Sequence, residues 1–257
     1  MTIDTPATDK AMSGWRVLVP RGGGWGDDVA ALLREQGATP VIAPLINFAS
    51  AEDSQALAEA FSTLGRGSFD WLVVTSATTV DVLVSQDVRV PPSTRIAAVG
   101  VTTANALVQA GYRVDLVPSS DNSAAGLVGE WPNQEGAGRA LVLQSDIAES
   151  VIAEGLSALG FTAVTVTAYR TIGVPLLPEV VAELTAGEIT AVLVTSGSVA
   201  KQLAEQAPNL HIATVIACIG PRTTEQARAV GLRVHVISPE RSAEALVEAL
   251  ADYAGRL

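Results

Sequence analysis

The sequence predicts an α/β fold built twice, as two similar parallel-sheet domains. Three observations carry this. First, the chain repeats: a strand-like run ends in Thr75-Ser76, and Ala191-Val192-Leu193-Val194 ends in Thr195-Ser196. A second unit, Ile96 to Thr103 with Gly100 at its turn, recurs as Ile216 to Thr223 around Gly220, at the same offset of 120 positions (195 − 75). Two copies are too few, and the period too long, for a solenoid, so the repeat reads as a duplication with a cleft between two lobes. Second, the strand-like runs are Val-, Leu- and Ile-rich on both faces, as in a parallel sheet covered by helices on either side. Third, strands alternate with amphipathic segments throughout, which gives right-handed crossovers.

The elements follow in order. Residues 15–20 read as a buried strand and 22–26 as a glycine-rich turn. Residues 27–36 read as a helix with Asp27 and Asp28 in its first turn and Gly37 as its stop. The run 40–48 is extended and 54–64 helical. Residues 71–74 form a strand and 78–85 a helix; 96–99 a strand and 103–110 a helix; 114–117 a strand and 124–131 a short helix. Then come a strand at 140–143, a helix at 150–159 and a strand at 163–170. The second copy closes with a helix over 243–253. A fainter repeat links Arg16-Val17-Leu18-Val19 to Arg139-Ala140-Leu141-Val142 at an offset of 123, with Gly37 matching Gly160 and Leu45-Ile46 matching Ala168-Tyr169.

Composition narrows the function. Hydrophobic residues make up 48% and charged residues 17%, enough for packed cores. A formal charge of −11 argues against nucleic-acid or anionic-membrane binding, which needs clustered Lys and Arg, yet leaves room for an anionic small ligand held by local donors. The one cysteine, Cys218, lies in an apolar run and reads as core filler. With no disulfide framework, signal peptide or membrane-length apolar segment, a cytoplasmic protein is expected, with residues 1–14 as a disordered tail.

In doubly wound sheets, ligands gather at the C-terminal strand ends, where helix N-termini present free N–H groups. That singles out Arg21 with the glycines after it, Thr75-Ser76-Ala77, Gly100 to Thr103, Thr195-Ser196-Gly197-Ser198 and Gly220 to Thr223. Each Ser or Thr there also reads as an N-cap, and the two roles are compatible. The glycines at 22, 23, 24 and 26 fail the dinucleotide pattern, and no phosphate-loop motif is present. His211 and His235 stand apart, with no ligand spacing for a metal and no nucleophile motif. Tyr169 lies in an extended segment between the two kinds of repeat, where it either packs a connector or acts as a weak general acid.

Taken together, the strand ending in Thr-Ser, the Gly-x-x-Thr pair (Gly100 and Thr103, Gly220 and Thr223), Val166-Thr167-Ala168-Tyr169-Arg170-Thr171 and the last helix from Ser242-Ala243-Glu244-Ala245-Leu246 resemble uroporphyrinogen-III synthase. The resemblance runs from Trp15 to the C-terminus. It implies one discontinuous domain (15–43 with 173–257), a second domain (50–166), and an antiparallel two-stranded linker (44–49 with 167–172) that permits a large hinge motion. It further implies cyclisation of hydroxymethylbilane to uroporphyrinogen III, with loss of water and inversion of the last ring through a spiro intermediate. That is a hydro-lyase reaction needing no cofactor and no metal. Tyr169 matches the tyrosine that assists the departing hydroxyl. Arg21, Thr75, Ser76, Ala77, Thr103, Thr195, Ser196, Gly197, Ser198, Gly220 and Thr223 would bind the substrate's carboxylates. Arg222 and the bulkier Gly22–Gly26 loop with Trp25 depart from the family pattern. A monomer is expected, with a transient hand-over from hydroxymethylbilane synthase. Two rivals remain: a non-catalytic two-lobed ligand-binding protein, against which the absent signal peptide counts, and a nucleotide-sugar transferase, which would want a phosphate or metal motif.

Overall fold

The computed structural model describes residues 10–132 and 138–257. In chain order the elements are β1 (Arg16–Val19), α1 (Gly23–Glu35), β2 (Thr39–Ile42), β3 (Ile46–Ser50), α2 (Ser54–Gly65), β4 (Trp71–Val74), α3 (Ala77–Ser85), β5 (Arg95–Ala98), α4 (Val101–Gln109) and α5 (Ala124–Gly129). There follow β6 (Arg139–Ser145), α6 (Val151–Ala158), β7 (Thr162–Gly173), α7 (Pro178–Ala186), β8 (Ala191–Val194), α8 (Gly197–Gln206), β9 (Val215–Cys218), α9 (Pro221–Ala229), β10 (Val234–Ile237) and α10 (Ala243–Ala254). The chain divides into two bodies: the first takes the chain up to Asn47 together with Ile172–Leu257, the second Phe48–Thr171.

The first body carries a five-stranded sheet in the order β10-β9-β8-β1-β2, with every pair parallel. The strand order reverses between β1 and β8, the kind of switch point beside which doubly wound sheets hold their ligands. The second body's sheet runs β3-β7-β6-β4-β5, with β7, β6, β4 and β5 mutually parallel. A single bridge from Leu116 to Ala97 extends it.

The duplication holds at the level of register. In the first body Val17 pairs with Ala191, Arg16 with Thr39 and Ala191 with Val215. In the second, Ala140 pairs with Trp71, Arg139 with Thr162 and Trp71 with Arg95. These are the same pairs shifted by 123 or 120. Strand order is therefore shared, but the chain enters the sheet at a different strand in each copy, so the bodies are circular permutations of one another.

Apolar burial on two sheet faces holds the central strands between helices. In β4, Trp71 and Val73 join one core with Val142, Leu127 and Leu156, while Leu72 and Val74 join another with Leu141, Leu64 and Leu107. Period-two alternation of this kind puts every side chain of the strand out of water, each contributing about 1.5–3 kcal/mol. Helix starts follow one rule in both bodies. Asp53, Ser76, Ser123, Ser196 and Ser242 each accept the N–H of the third helical residue. Helix stops match as well: Gly37 and Gly160, and likewise Gly111 and Gly231, take positive φ after corresponding helices.

Four local expectations change. The first helix begins at Gly23, four residues early, so Asp27 and Asp28 leave its first turn. Gly23 holds φ +66°, which reads as a turn although the helix has begun, and a Cβ on Gly26 would meet the Arg21 carbonyl at 2.3 Å. The strand expected at 114–117 shrinks to the Leu116 bridge, beside which the Asp115 carboxylate accepts the Ile96 N–H. The extended run at 40–48 breaks into β2 and β3. Finally, Lys10 to Gly14 do not belong to a tail: Met12 is fully buried in the first body's core and its N–H donates to Gln36 O. Residues 1–9 of that tail lie outside the described residues.

Between β2 and α2, β3 lies beside β7. Val174 N–H donates to Leu45 O, and the Arg170 guanidinium reaches Ser50 O and Glu52.

Candidate functional site

In the second body, the sequence-predicted residues collect at the C-terminal ends of β4, β5 and β7. Thr75 follows β4, and its hydroxyl donates to Leu143 O at 3.1 Å, tying β4 to β6. Ser76 caps α3 by accepting the Thr79 N–H at 3.1 Å, and Ala77 opens that helix. Thr103 sits in the first turn of α4, buried. Tyr169, in β7, is 8% exposed and packs edge-on against Phe48. Its hydroxyl lies 3.0 Å from Ser76 Oγ, which lies 3.0 Å from Thr79 Oγ1. The fold thus joins Tyr169 to Ser76, residues 93 apart in sequence. Tyr169 reaches this position because β7 is irregular there: the register with β6 shifts between Gln144 and Ser145, so that Ser145 pairs with Tyr169.

The first body holds the counterparts. Thr195 follows β8, Ser196 caps α8 by accepting the Val199 N–H at 3.2 Å, and Gly197 and Ser198 form the first turn. A Cβ on Gly197 would meet Gln226 Oε1 at 2.4 Å; in the second body the corresponding pair is Ala77 with Ala106, so the larger partner goes with the smaller. Gly220 caps α9, and Thr223 is buried in its first turn. Arg21 follows β1 and its guanidinium stacks on Trp25 at 5.1 Å. That stacking accounts for the Trp in the glycine-rich segment.

Three polar residues beside these helix starts were not singled out from the sequence. Asn122 Oδ1 accepts the Val101 N–H at 3.1 Å, so it covers the first turn of α4. Its loop is held by Glu130, whose carboxylate accepts the N–H groups of Ser119 and Ser120 and the Ser120 hydroxyl. The Ser119 N–H above all keeps the Glu130 carboxyl below its ordinary range. In the first body, the methylenes of the Arg241 side chain lie against Gly220 instead. The third is Thr79. For Thr79, aligning the two repeats was the signal available, since it stands where the other copy has Val199.

Other titratable groups lie off these ends. Burial raises the Cys218 thiol, as befits a fully buried strand residue. Burial, with a smaller contribution from Asp87, raises Tyr112, whose hydroxyl donates to Val88 O. Among the described residues no group of three His, Cys, Asp or Glu could hold a metal ion, and no helix is long and apolar enough to cross a membrane.

With strand order, register and the Tyr169–Ser76 pair established, comparison with known proteins becomes decisive. The family model for uroporphyrinogen-III synthase HemD matches residues 27–248. The chain belongs to the uroporphyrinogen-III synthase family. It is therefore an enzyme of porphyrin biosynthesis, and its family's substrate is a small tetrapyrrole. Solved structures agree on the fold. A mutant uroporphyrinogen III synthase from the extremely thermophilic bacterium Thermus thermophilus superposes with a TM-score of 0.67 at 18% identity, over 94% of this chain and 99% of that one. A uroporphyrinogen-III synthetase from Helicobacter pylori gives 0.61 at 15% identity, over 93% and 99%. A search of curated proteins returned no match.

Proposed function

We propose that this uroporphyrinogen-III synthase family member cyclises hydroxymethylbilane to uroporphyrinogen III by general-acid catalysis from Tyr169, with no cofactor and no metal. The phenol gives its proton to the departing hydroxyl, the C–O bond breaks with electrons from the pyrrole nitrogen, and water leaves. The resulting azafulvene carbon is attacked by the substituted position of the last ring, forming the spiro-pyrrolenine. Fragmentation and reclosure invert that ring, and the proton lost on rearomatisation restores the phenol. The net change is loss of one water, so the enzyme acts as a lyase. The observation that carries this reading is the Tyr169 hydroxyl held at 3.0 Å from the capping hydroxyl of Ser76.

Carboxylate binding is assigned to the helix starts of both bodies: Thr75, Ser76, Ala77 and Thr103 in the second; Arg21, Thr195, Ser196, Gly197, Ser198, Gly220 and Thr223 in the first. Each helix end supplies about 0.3–1 kcal/mol toward an anion, so several acting together offset the acidic net charge. The buried Thr103 and Thr223 would act by shaping the first turns of α4 and α9. We further assign a cytoplasmic monomer that receives its unstable substrate from hydroxymethylbilane synthase.

The test is a coupled reaction with hydroxymethylbilane synthase, followed by isomer analysis. Uroporphyrinogen III should be the product; isomer I alone, which forms when the bilane closes uninverted, ends the proposal.

A further inference from the structure

We propose that Thr79 is a positioning residue for Tyr169, fixing through Ser76 the direction in which the phenol's proton points. The inference rests on Tyr169 being the proton donor and goes on to explain how its proton is kept available. Thr79, Ser76 and Tyr169 form a chain of three hydroxyls, each step 3.0 Å. Each has one proton to give. Thr79 is fully buried, and the partner of its hydroxyl is Ser76 Oγ. If Ser76 donated to Thr79, the Thr79 proton would have no acceptor in a dry site, a cost of about 1–3 kcal/mol. Thr79 therefore donates to Ser76. Ser76 Oγ also accepts the Thr79 N–H at 3.1 Å, which fills both of its acceptor positions. Its own proton goes to the Tyr169 oxygen. Tyr169 then accepts within the chain, and its proton stays free for a group outside it. Without the Thr79 hydroxyl, Ser76 accepts from Tyr169 at no penalty, and the phenol proton turns inward.

The first body supplies a built-in control. There the corresponding residues are Ile46, Ser196 and Val199. Ser196 still caps its helix at 3.2 Å beside a valine, so the hydroxyl at position 79 is not required to start the helix. It is present in the copy that carries the tyrosine.

Steady-state kinetics on Thr79→Val, Thr79→Ser, Tyr169→Phe and the Tyr169→Phe/Thr79→Val double variant test this. Thr79→Val should lower kcat about tenfold with KM unchanged, a fraction of the ~10²–10⁴ that general acids supply. Thr79→Ser should restore it. In the Tyr169→Phe background, Thr79→Val should cost nothing more, because both act through one proton. Should Thr79→Val fail to fold, Thr79→Ala gives the same reading. Wild-type kcat in Thr79→Val, or an undiminished loss on top of Tyr169→Phe, overturns the positioning role alone. Wild-type turnover in Tyr169→Phe overturns the general-acid reading, and this inference with it.

Discussion

The two bodies share strand order, register, capping positions and even the burial pattern of the strand-to-helix turns at 71–80 and 191–200. They differ in what sits on that frame. One copy sets a tyrosine, a serine and a threonine in a hydrogen-bonded row; at the aligned sequence positions the other has isoleucine, serine and valine. Only the serine is common, and only the serine is needed to cap a helix. A similar divergence occurs at the strand edge: Asp115 Oδ2 accepts the Ile96 N–H at 2.9 Å, and His235 Nδ1 accepts the Ile216 N–H at 3.0 Å. What both copies keep is what folds the sheet, and what they do not share includes the proposed proton donor and the titratable His235.

The largest expected difference is between Tyr169 and Ile46. Tyr169→Phe should lower turnover about hundredfold. It should move unfolding stability by only about 1 kcal/mol, the net worth of one hydrogen bond. Ile46→Val should cost about 0.5–1.5 kcal/mol of stability and leave turnover untouched. Equal kinetic effects would erase the distinction drawn between the copies. Next come the caps. Ser76→Ala and Ser196→Ala should each lose about 1 kcal/mol in thermal or denaturant unfolding. Ser76→Ala should in addition reduce kcat more than Ser196→Ala, since its hydroxyl also holds the phenol.

A smaller effect concerns acid. Burial, aided by Arg233, holds the His235 imidazole below its ordinary 6.5, so the neutral ring is the folded form. Its stabilising contribution is present above 6.5 and is lost as pH falls below 6.5 and through the lower folded value. His235→Asn, which keeps an acceptor but does not titrate, should flatten that part of the stability–pH curve; an unchanged curve would place the acid response elsewhere. The smallest effect compares two arginines. Arg16 Nη2 donates to both Glu183 carboxylate oxygens, at 2.8 and 2.9 Å, while its counterpart Arg139 stacks on Phe69 at 4.9 Å. Glu183→Ala should cost no more than about 1 kcal/mol, because the pair is partly solvated.

Much of this frame was legible in the sequence. The offsets of 120 and 123 already encode the paired registers, because strands matched in sequence occupy matched places in a sheet. Ser76 and Ser196 were legible as caps from their position before amphipathic runs. What escaped depends on side chains far apart in the chain. No local pattern ties Tyr169 to Ser76, and a threonine three residues into a helix reads as filler until its partner is known. The Asp115 contact escaped for a related reason: Asp115 reads as a polar interruption, whereas its carboxylate accepts the Ile96 N–H. The early start of α1 was hidden because glycines announce turns, and here one of them is the helix's first residue.

Because the chain leaves the first body's sheet after β2 and rejoins it only at β8, the order of synthesis sets the order of completion. Val17, Leu18 and Val19, all wholly enclosed in the finished protein, emerge from the ribosome without the neighbour that shields one edge of their strand until Ala191 has been made. The uninterrupted segment Phe48–Thr171 can close its own sheet during that interval. The nascent N-terminal strand must therefore wait while the insert folds, and it is in this interval that a cell's holding chaperones would matter most to this protein.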